Sequence, residues 1–421
     1  MSTGSFQIPF STPPYAALYL HIPFCQSRCS YCSFTTEAIE ATSWQVDAYI
    51  DELCASIRDA ESRGLFAAIE TVYIGGGTPS YLGQERLRRL LGTLSDALQG
   101  ELADQAGAAG STGQTSSGDP ANPVAPANPA TPPQPLKEWT IEANPESMVS
   151  LDLSELKSLG VTRISLGVQS LNDSELQTLG RIHDAATARQ AIVQVQESGL
   201  DLSIDLICGI PGQDVDSWLE TLSSLATLKL DHLSVYPLSI DEGTELQRLM
   251  EEPGFDALML PDEDDQAEDL LLAEEYLKAL GLLRYEVASY ARPGHEALHN
   301  LAYWTAKPYL GLGRGAAGMA MLTAPDGAAR RIRFMNGEVE DELFGPEIAA
   351  EDLMLRMRLA AGVSEPDLEA FSQALPKAPA AMAKLISEGL VEKRKGRYRP
   401  TQRGWLLSNR IFTAMLELAE A

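Results

Sequence analysis

The stretch HIPFCQSRCSYCSF, residues 21–34, places three cysteines within eight residues. Cys25, Cys29 and Cys32 follow the spacing C-x3-C-x2-C. Two kinds of site compete for such a loop. A structural zinc site is closed by four ligands and would need the nearby His21, whereas a [4Fe-4S] cluster on three thiolates leaves one iron open to an external ligand. The spacing favours the cluster and keeps zinc as the alternative.

The composition limits where such a site can work. Five cysteines in 421 residues, three of them clustered, are typical of a reduced intracellular protein rather than a disulfide scaffold. The first twenty residues show no basic region followed by an apolar one, and no later stretch has membrane-spanning length. We therefore expect a cytoplasmic protein without a membrane span. A net charge of -27 argues against a nucleic-acid partner.

Short β-branched or aromatic runs alternate with helical periodicity along the first 240 residues. This alternation predicts an α/β fold, either a parallel βα barrel or an open sheet, with its site at the carboxyl ends of the strands. Between the first two runs, Cys54 falls on an apolar helical stripe and is predicted to be a core residue. The runs are ALYLHI (17–22), TVYIGG (71–76), EWTIEA (138–143), TRISLGV (162–168), LSIDLIC (202–208) and HLSVYPL (232–238).

Two segments depart from the alternating pattern. Residues 103–135 are rich in Ala, Gly, Ser and Pro and have almost no large apolar side chains, which predicts a disordered insertion. Residues 345–421 read as helix, helix, hairpin and helix, which predicts a small winged-helix-like domain. The remaining residues, within 1–340, are assigned to the barrel core.

Polar residues recur near the predicted strand ends. A glycine triplet, residues 75–77, follows the second run and would let a small polar ligand approach the backbone. Glu142 and Asp205 lie near the ends of two further runs, and a buried carboxylate needs a partner. A ligand is one possible partner. The alternative is internal salt bridges with Arg163 or Arg181.

Several ordered motifs together resemble one known family. HIPFCQSRCSYCSF with Tyr19 before it, then YIGGGTPS, EANPES, GVQS, LGRIH and DLICGIPGQ, are similar to the radical S-adenosylmethionine (SAM) enzymes of the oxygen-independent coproporphyrinogen oxidase group. The resemblance implies a partial (β/α)6-type radical SAM barrel whose [4Fe-4S] cluster is held by Cys25, Cys29 and Cys32. It also implies SAM contacts from Tyr19, Tyr31, Gly76, Gly77, Thr78, Glu142, Gln169, Arg181 and Asp205.

A second motif points to one branch of that group. The stretch HNLAYW resembles the HNxxYW signature of the HemW-type heme chaperones, which implies heme binding by His299, Asn300, Tyr303 and Trp304. Taken alone, the motif fits better with one turn of helix in which His299 pairs with Tyr303 and the aromatics are core, and only the resemblance favours heme binding. Two positions differ from the relatives: Phe34 stands where the oxidases have a further cysteine, and Ala317 stands where a histidine is expected.

The functional hypotheses follow from this resemblance. The first is a heme chaperone that binds heme and passes it to an acceptor protein. The second is a radical SAM enzyme acting on a tetrapyrrole, and the third is a binding protein in which the cluster is only structural. Whether the chain is an enzyme, which protein accepts the heme and whether it forms oligomers are left open.

Overall fold

The structure is a computed structural model that describes residues 14–110, 136–252, 260–324 and 326–420. Its strands are Ala17–Ile22 (β1), Phe24–Cys25 (β2), Glu37–Ala38 (β3), Thr71–Gly76 (β4), Glu138–Ala143 (β5), Arg163–Gln169 (β6), Asp201–Cys208 (β7), His232–Pro237 (β8), Leu283–Arg284 (β9), Ser289–Ala291 (β10), Tyr309–Leu312 (β11), Ala317–Thr323 (β12), Ala329–Met335 (β13), Glu338–Phe344 (β14), Val363–Ser364 (β15), Val391–Arg394 (β16) and Arg397–Pro400 (β17).

The α-helices lie mostly between these strands, and short 3-10 helices cover Pro79–Leu82 and Glu417–Glu420. The α-helices are Trp44–Ser62 (α1), Gly83–Gly110 (α2), Pro145–Met148 (α3), Leu153–Ser158 (α4), Asp173–Thr178 (α5), Ala185–Ser198 (α6), Val215–Leu225 (α7), Glu245–Glu251 (α8), Glu263–Ala279 (α9), Leu298–Trp304 (α10), Gly345–Arg356 (α11), Glu365–Ala374 (α12), Ala378–Ser387 (α13), Gln402–Leu406 (α14) and Ser408–Leu416 (α15).

Six parallel strands form the centre of the molecule. β1, β4, β5, β6, β7 and β8 pair in that order, so neighbours in the sheet follow one another along the chain. All six predicted runs form these strands, and the predicted α/β class is confirmed. The six strands do not close on themselves, because β11 pairs with the free edge of β1 and β10 with that of β8. The result is an open, partial barrel.

Helices cover the outside of the barrel because each presents one apolar stripe to the sheet. In α1 that stripe comprises Val46, Ile50, Leu53 and Cys54 with Ile57, all buried. Cys54 is therefore a core residue, as its position in the pattern predicts. Most buried side chains of these strands and helices form one large apolar cluster, and a smaller one contains Leu179, Ile207, Ile210, Leu238 and Leu246.

Helix α2 corrects one sequence prediction. It continues to Gly110, so residues 103–110 belong to a helix rather than to the beginning of a disordered insertion. The stretch contains four alanines, at positions 103, 106, 108 and 109, and alanine has the highest helix propensity. The rest of the predicted insertion, residues 111–135, lies outside the described residues.

The C-terminal part has an apolar cluster of its own, built around Leu353, Met382 and Ile411. Helices α11–α15 surround a three-stranded sheet in the order β15, β17, β16, and the predicted hairpin is the antiparallel pair β16–β17. This arrangement agrees with the predicted winged-helix-like fold. The exact domain limits remain a prediction. Across the described ranges, no helix is long and apolar enough to cross a bilayer.

Candidate functional site

The cysteine loop, residues 25–36, connects β2 to β3 above the carboxyl end of β1. The Ser30 hydroxyl donates to the carbonyl of Thr178 at 3.0 Å, and the Ser30 N–H donates to the carbonyl of Leu179 at 3.1 Å. A turn bond from the Cys32 N–H to the Cys29 carbonyl, 3.2 Å, tightens the centre of the loop. These bonds hold an irregular segment in one place on the barrel.

All three loop cysteines are half-buried free thiols that line one cavity. The Thr78 hydroxyl lies 3.4 Å from Cys25 Sγ, and Arg181 Nη1 lies 3.3 Å from Cys29 Sγ. Within the described residues, no three His, Cys, Asp or Glu side chains are grouped as ligands of a single metal ion would be. A [4Fe-4S] cluster does not require such a group, because its thiolates bind different irons.

His21, the fourth ligand that zinc would need, is occupied elsewhere. Its Nδ1 lies 2.8 Å from the Tyr19 hydroxyl and its Nε2 lies 3.2 Å from the Thr35 carbonyl oxygen. The ring also packs against Gly76, where an added Cβ would come within 2.4 Å of it. His21 therefore supports the loop from below, and the zinc alternative loses its fourth ligand.

The glycine triplet brings the backbone close to the cysteine loop. The Gly77 N–H donates to the Ile22 carbonyl at 2.7 Å, and the Thr78 N–H donates to the Phe24 carbonyl at 2.8 Å. A Cβ at Gly77 would lie 2.6 Å from the Phe24 carbonyl oxygen, so this approach requires glycine. Gly76, Gly77 and Thr78 all line the cavity with the cysteines.

Two half-buried carboxyl groups face the same cavity. Glu142 accepts hydrogen bonds from the Tyr73 hydroxyl at 2.6 Å and from the Gly76 N–H at 2.9 Å. Burial raises the pKa of Glu142, although both bonds oppose the shift. Burial, and then the charge of Glu142, raise the pKa of Asp205 to about 7. Two acids placed together without a cation are suited to a ligand that carries positive charge or hydroxyl donors.

The salt-bridge alternative for these acids is wrong. Arg163 lies beside Glu138, with 3.5 Å between Nε and Oε2, and not beside Glu142 or Asp205. Arg181 donates through Nη2 to Asn144 Oδ1 and to the Gly167 carbonyl, both at 2.8 Å. Both arginines are thus committed to other groups, and within the described residues neither acid forms an ion pair.

Eight of the nine residues assigned to SAM by resemblance line the cavity, among them Tyr31, Gln169 and Arg181. The exception is Tyr19, which lies beneath the site against His21. Gln169 has a backbone φ of +68°, a region that residues other than glycine rarely adopt, and it sits at an irregularity between β6 and β7. Such local strain at a cavity wall is characteristic of functional positions.

Sequence reasoning missed several residues that hold the site together. Tyr73 supports Glu142, and Asn144 links Arg181 to the Thr78 hydroxyl through a 3.1 Å bond. Tyr73 could have been found, since it points to the same side of β4 as Gly75. Asn144 lies inside the motif EANPES but carried no separate signal.

Helix α10, which contains HNLAYW, lies behind the cavity wall. His299 is 1% exposed, and its ring nitrogens lie 3.0 Å from Thr71 Oγ1 and 2.8 Å from the Tyr303 hydroxyl. Trp304 packs under the guanidinium of Arg358, 4.3 Å from the ring centre. Of the four motif residues, only Asn300 lines the cavity. His299 thus pairs with Tyr303, which is the alternative that the local sequence predicts.

The two positions that depart from the relatives differ in location. Phe34 is 67% exposed and lines the mouth of the cavity. Ala317 begins β12, where its carbonyl packs against Gly311, and it does not line the cavity. The position at which a histidine is expected therefore lies away from the cavity.

Comparisons with known proteins agree with this geometry. The radical SAM superfamily matches residues 19–225, and the HemN C-terminal domain matches residues 345–407. The heme chaperone HemW of Mycobacterium tuberculosis is 30% identical, covering 97% of this chain and 96% of the relative; that of Bacillus subtilis is 28% identical, covering 94% and 98%. The solved structure of coproporphyrinogen III oxidase (HemN) from Escherichia coli, 20% identical, matches with a TM-score of 0.71 over 97% of this chain and 91% of that one.

The open barrel with a three-cysteine loop at the carboxyl ends of its strands is the architecture of the radical SAM superfamily. Similarity to one group of proteins extends over almost the whole chain, including the C-terminal part. The chain belongs to the HemW family.

Proposed function

We propose that this protein is a heme chaperone, which binds heme and passes it to an acceptor protein in the cytoplasm. One observation carries the proposal: the cavity that the cysteine loop borders is also lined by Asn300 of the HNxxYW motif. A cluster site and the motif of the heme-chaperone branch therefore meet in one space. The family relationship supports the same reading, because curated relatives over most of this length are named heme chaperones.

The residues present fit a [4Fe-4S] cluster and SAM. We infer that Cys25, Cys29 and Cys32 would hold the cluster, since they are accessible thiols on a fixed loop. Glu142 and Asp205 would accept hydrogen bonds from SAM. The glycine triplet would let SAM approach the backbone of residues 75–77. When bound, such a cluster supplies one-electron chemistry at SAM. The protein residues would bind and orient these groups.

We assign heme binding to the HNxxYW motif, whose residues would have different roles. Asn300 faces the cavity, whereas His299 holds α10 against β4 through Thr71 and stacks on Tyr73 with 5.2 Å between ring centres. Burial lowers the pKa of His299 to about 3, so its ring is neutral. To bind iron, His299 would have to break a bond to Thr71 or Tyr303. Its assignment as an iron ligand stays a prediction, and the geometry favours a positioning task.

A tetrapyrrole-modifying enzyme is the second candidate. The match to the HemN C-terminal domain at residues 345–407 favours it. Phe34 argues against it, because an exposed phenylalanine stands where the oxidases carry a further cysteine. The first candidate therefore has the stronger support.

The two candidates separate in one set of assays on protein reconstituted anaerobically with iron and sulfide. Hemin is titrated while the Soret absorption is followed, and Asn300→Ala is compared with Asn172→Ala, which removes the cap of α5 away from the cavity. A chaperone gives saturable binding that Asn300→Ala weakens and Asn172→Ala preserves, and it loads an apo-hemoprotein. Conversion of coproporphyrinogen with release of 5′-deoxyadenosine would instead establish the enzyme.

A further inference from the structure

The inner end of the cavity contains polar groups that the cluster and SAM do not use. Thr140 and Arg163 are neighbours in the register of β5 and β6, near the amino ends of the strands. Both line the cavity and are almost fully buried, with exposures of 1% and 4%. Among the described residues, the Thr140 hydroxyl and Arg163 Nη1 have no hydrogen-bond partner. A buried donor without a partner costs about 1–3 kcal/mol, so two at one place point to a missing ligand.

The existing partners of Arg163 leave Nη1 available. Nη2 donates to the backbone carbonyls of His295 and Glu296, at 3.0 and 3.3 Å. Two carboxyl groups lie nearby, Glu138 at 3.5 Å and the half-exposed Asp201 at 3.9 Å. Glu138 is largely satisfied, because it accepts the first N–H groups of α10 at 2.8 and 3.0 Å. The guanidinium is thus held through Nη2 and the nearby Glu138 carboxylate, while Nη1 has no hydrogen bond among the described residues.

Small side chains line the cavity between this end and the cofactor site. Ser165, Ser203 and Ser234 occupy the inward positions above Arg163 on β6, β7 and β8. His232, beside them, is engaged on both ring nitrogens, with Ser203 Oγ at 2.7 Å and the Tyr285 hydroxyl at 2.8 Å. The serines leave space for a side arm of a ligand to reach Arg163.

We propose that Arg163, Thr140 and Asn300 bind a carboxylate group of the molecule that occupies the cavity. A guanidinium, a hydroxyl and an amide are all donors, and a carboxylate accepts several hydrogen bonds at once. This inference rests on the proposed function: for heme, the group is a propionate side chain. Asn300 would then bind the carboxylate rather than the iron. This role is consistent with Asn300 being the one residue of the motif that lines the cavity.

The first test compares hemin with hemin dimethyl ester, whose propionates are neutral. Wild type binds hemin more tightly than the ester. Thr140→Val, which deletes only an unbonded hydroxyl, weakens hemin binding by about three- to tenfold, and Arg163→Lys by about ten- to a hundredfold, with little change for the ester. Arg292→Lys changes a half-buried arginine that pairs with Asp231 and does not line the cavity; it is the control and keeps the wild-type preference. Equal affinities of wild type for both ligands would overturn the proposal.

The second test does not depend on heme. Sodium propionate and propionamide are compared as stabilisers of the reconstituted protein, because a ligand that binds only the folded state raises the melting temperature. Propionate stabilises wild type more than propionamide does, and the difference disappears in Thr140→Val. This result without hemin binding would refute the heme function and retain the carboxylate site. Identical shifts in wild type and both variants would refute the site itself.

Discussion

The cysteine loop and helix α10 carry the two most recognisable motifs of the chain, and their packing is opposite. The loop thiols are half-buried and border the cavity, and in the described part of the chain Cys25 and Cys29 each accept one side-chain hydrogen bond. The His299 imidazole in α10 is buried, and both nitrogens are bonded. Residue types that bind metals thus occur in both motifs, but only one of them offers free donor atoms. Whether a motif residue is a ligand is decided by the partners it already has.

The largest expected effect tests the loop side of this comparison. Cys25→Ala, Cys29→Ala and Cys32→Ala should each abolish the four-iron cluster, because each removes one of three thiolates. Cys54→Ala and Cys208→Ala are the matched controls and should retain iron, since both cysteines are buried away from the loop. Iron and acid-labile sulfide are measured after anaerobic reconstitution. Full iron content in Cys29→Ala would refute the assignment.

A smaller effect is expected on the α10 side. His299→Ala should lower the free energy of unfolding by about 2–4 kcal/mol, because it leaves the hydroxyls of Thr71 and Tyr303 unpaired in a buried site. Tyr303→Phe removes only one bond and should cost about 1 kcal/mol. Denaturant unfolding measures both, and iron content should be unchanged. A stable His299→Ala protein that no longer shifts the Soret band of hemin would instead make His299 a ligand.

Glu142 and Asp205 line the same cavity as the loop and are expected to contact SAM in addition to their present hydrogen-bond donors. Glu142→Ala and Asp205→Ala should weaken SAM binding by about ten- to a hundredfold, since each loses a charge-assisted hydrogen bond worth about 1.5–3 kcal/mol. Isothermal titration on reconstituted protein measures the affinity. Glu155→Ala, an acid far from the cavity that pairs with Arg88, is the control. Unchanged affinity in both cavity variants would remove them from the SAM site.

The smallest effect is a change in pH dependence. Burial lowers the pKa of His299 to about 3, below its value in the unfolded chain, so the neutral ring stabilises the fold above about pH 6.5 and this stability is lost as pH falls toward 3. Between about pH 6.5 and 5, wild type should therefore lose about 1.6 kcal/mol more in total than His299→Gln. Other titrating groups cancel in the difference. Parallel pH profiles would show that folding does not lower the pKa of His299.

The positions of the six central strands were accessible from the sequence because they depend on local patterns. The six apolar runs, the helical stripe through Cys54 and the spacing of the cysteines each involve residues close together in the chain. Glu142 and Asp205 could be assigned to the cavity because parallel strands end at the same edge. The helix at residues 103–110 was missed because its composition resembles that of the segment after it.

The partners of these residues were not accessible, because they depend on contacts across the barrel. Arg163 pairs with Glu138, and His299 pairs with Thr71 at a sequence separation of 228. No local pattern shows that the Thr140 hydroxyl is unbonded or that Asn300 faces the cavity while His299 does not. These contacts distinguish residues that can bind a ligand from residues that only stabilise the fold. They can be seen only in the assembled barrel.

The pairing of β11 with β1 also has a consequence for folding while the chain is being synthesised. β4 pairs with one edge of β1, but the other edge waits for β11, which follows about 290 residues later, a delay of roughly 15–60 s at ordinary elongation rates. Until then the nascent chain presents an apolar strand edge that can pair with other chains. Ribosome-associated helpers should therefore matter more for this protein than its final, fully paired sheet suggests. Codon changes that slow translation between β8 and β11 should reduce the soluble yield without altering any residue.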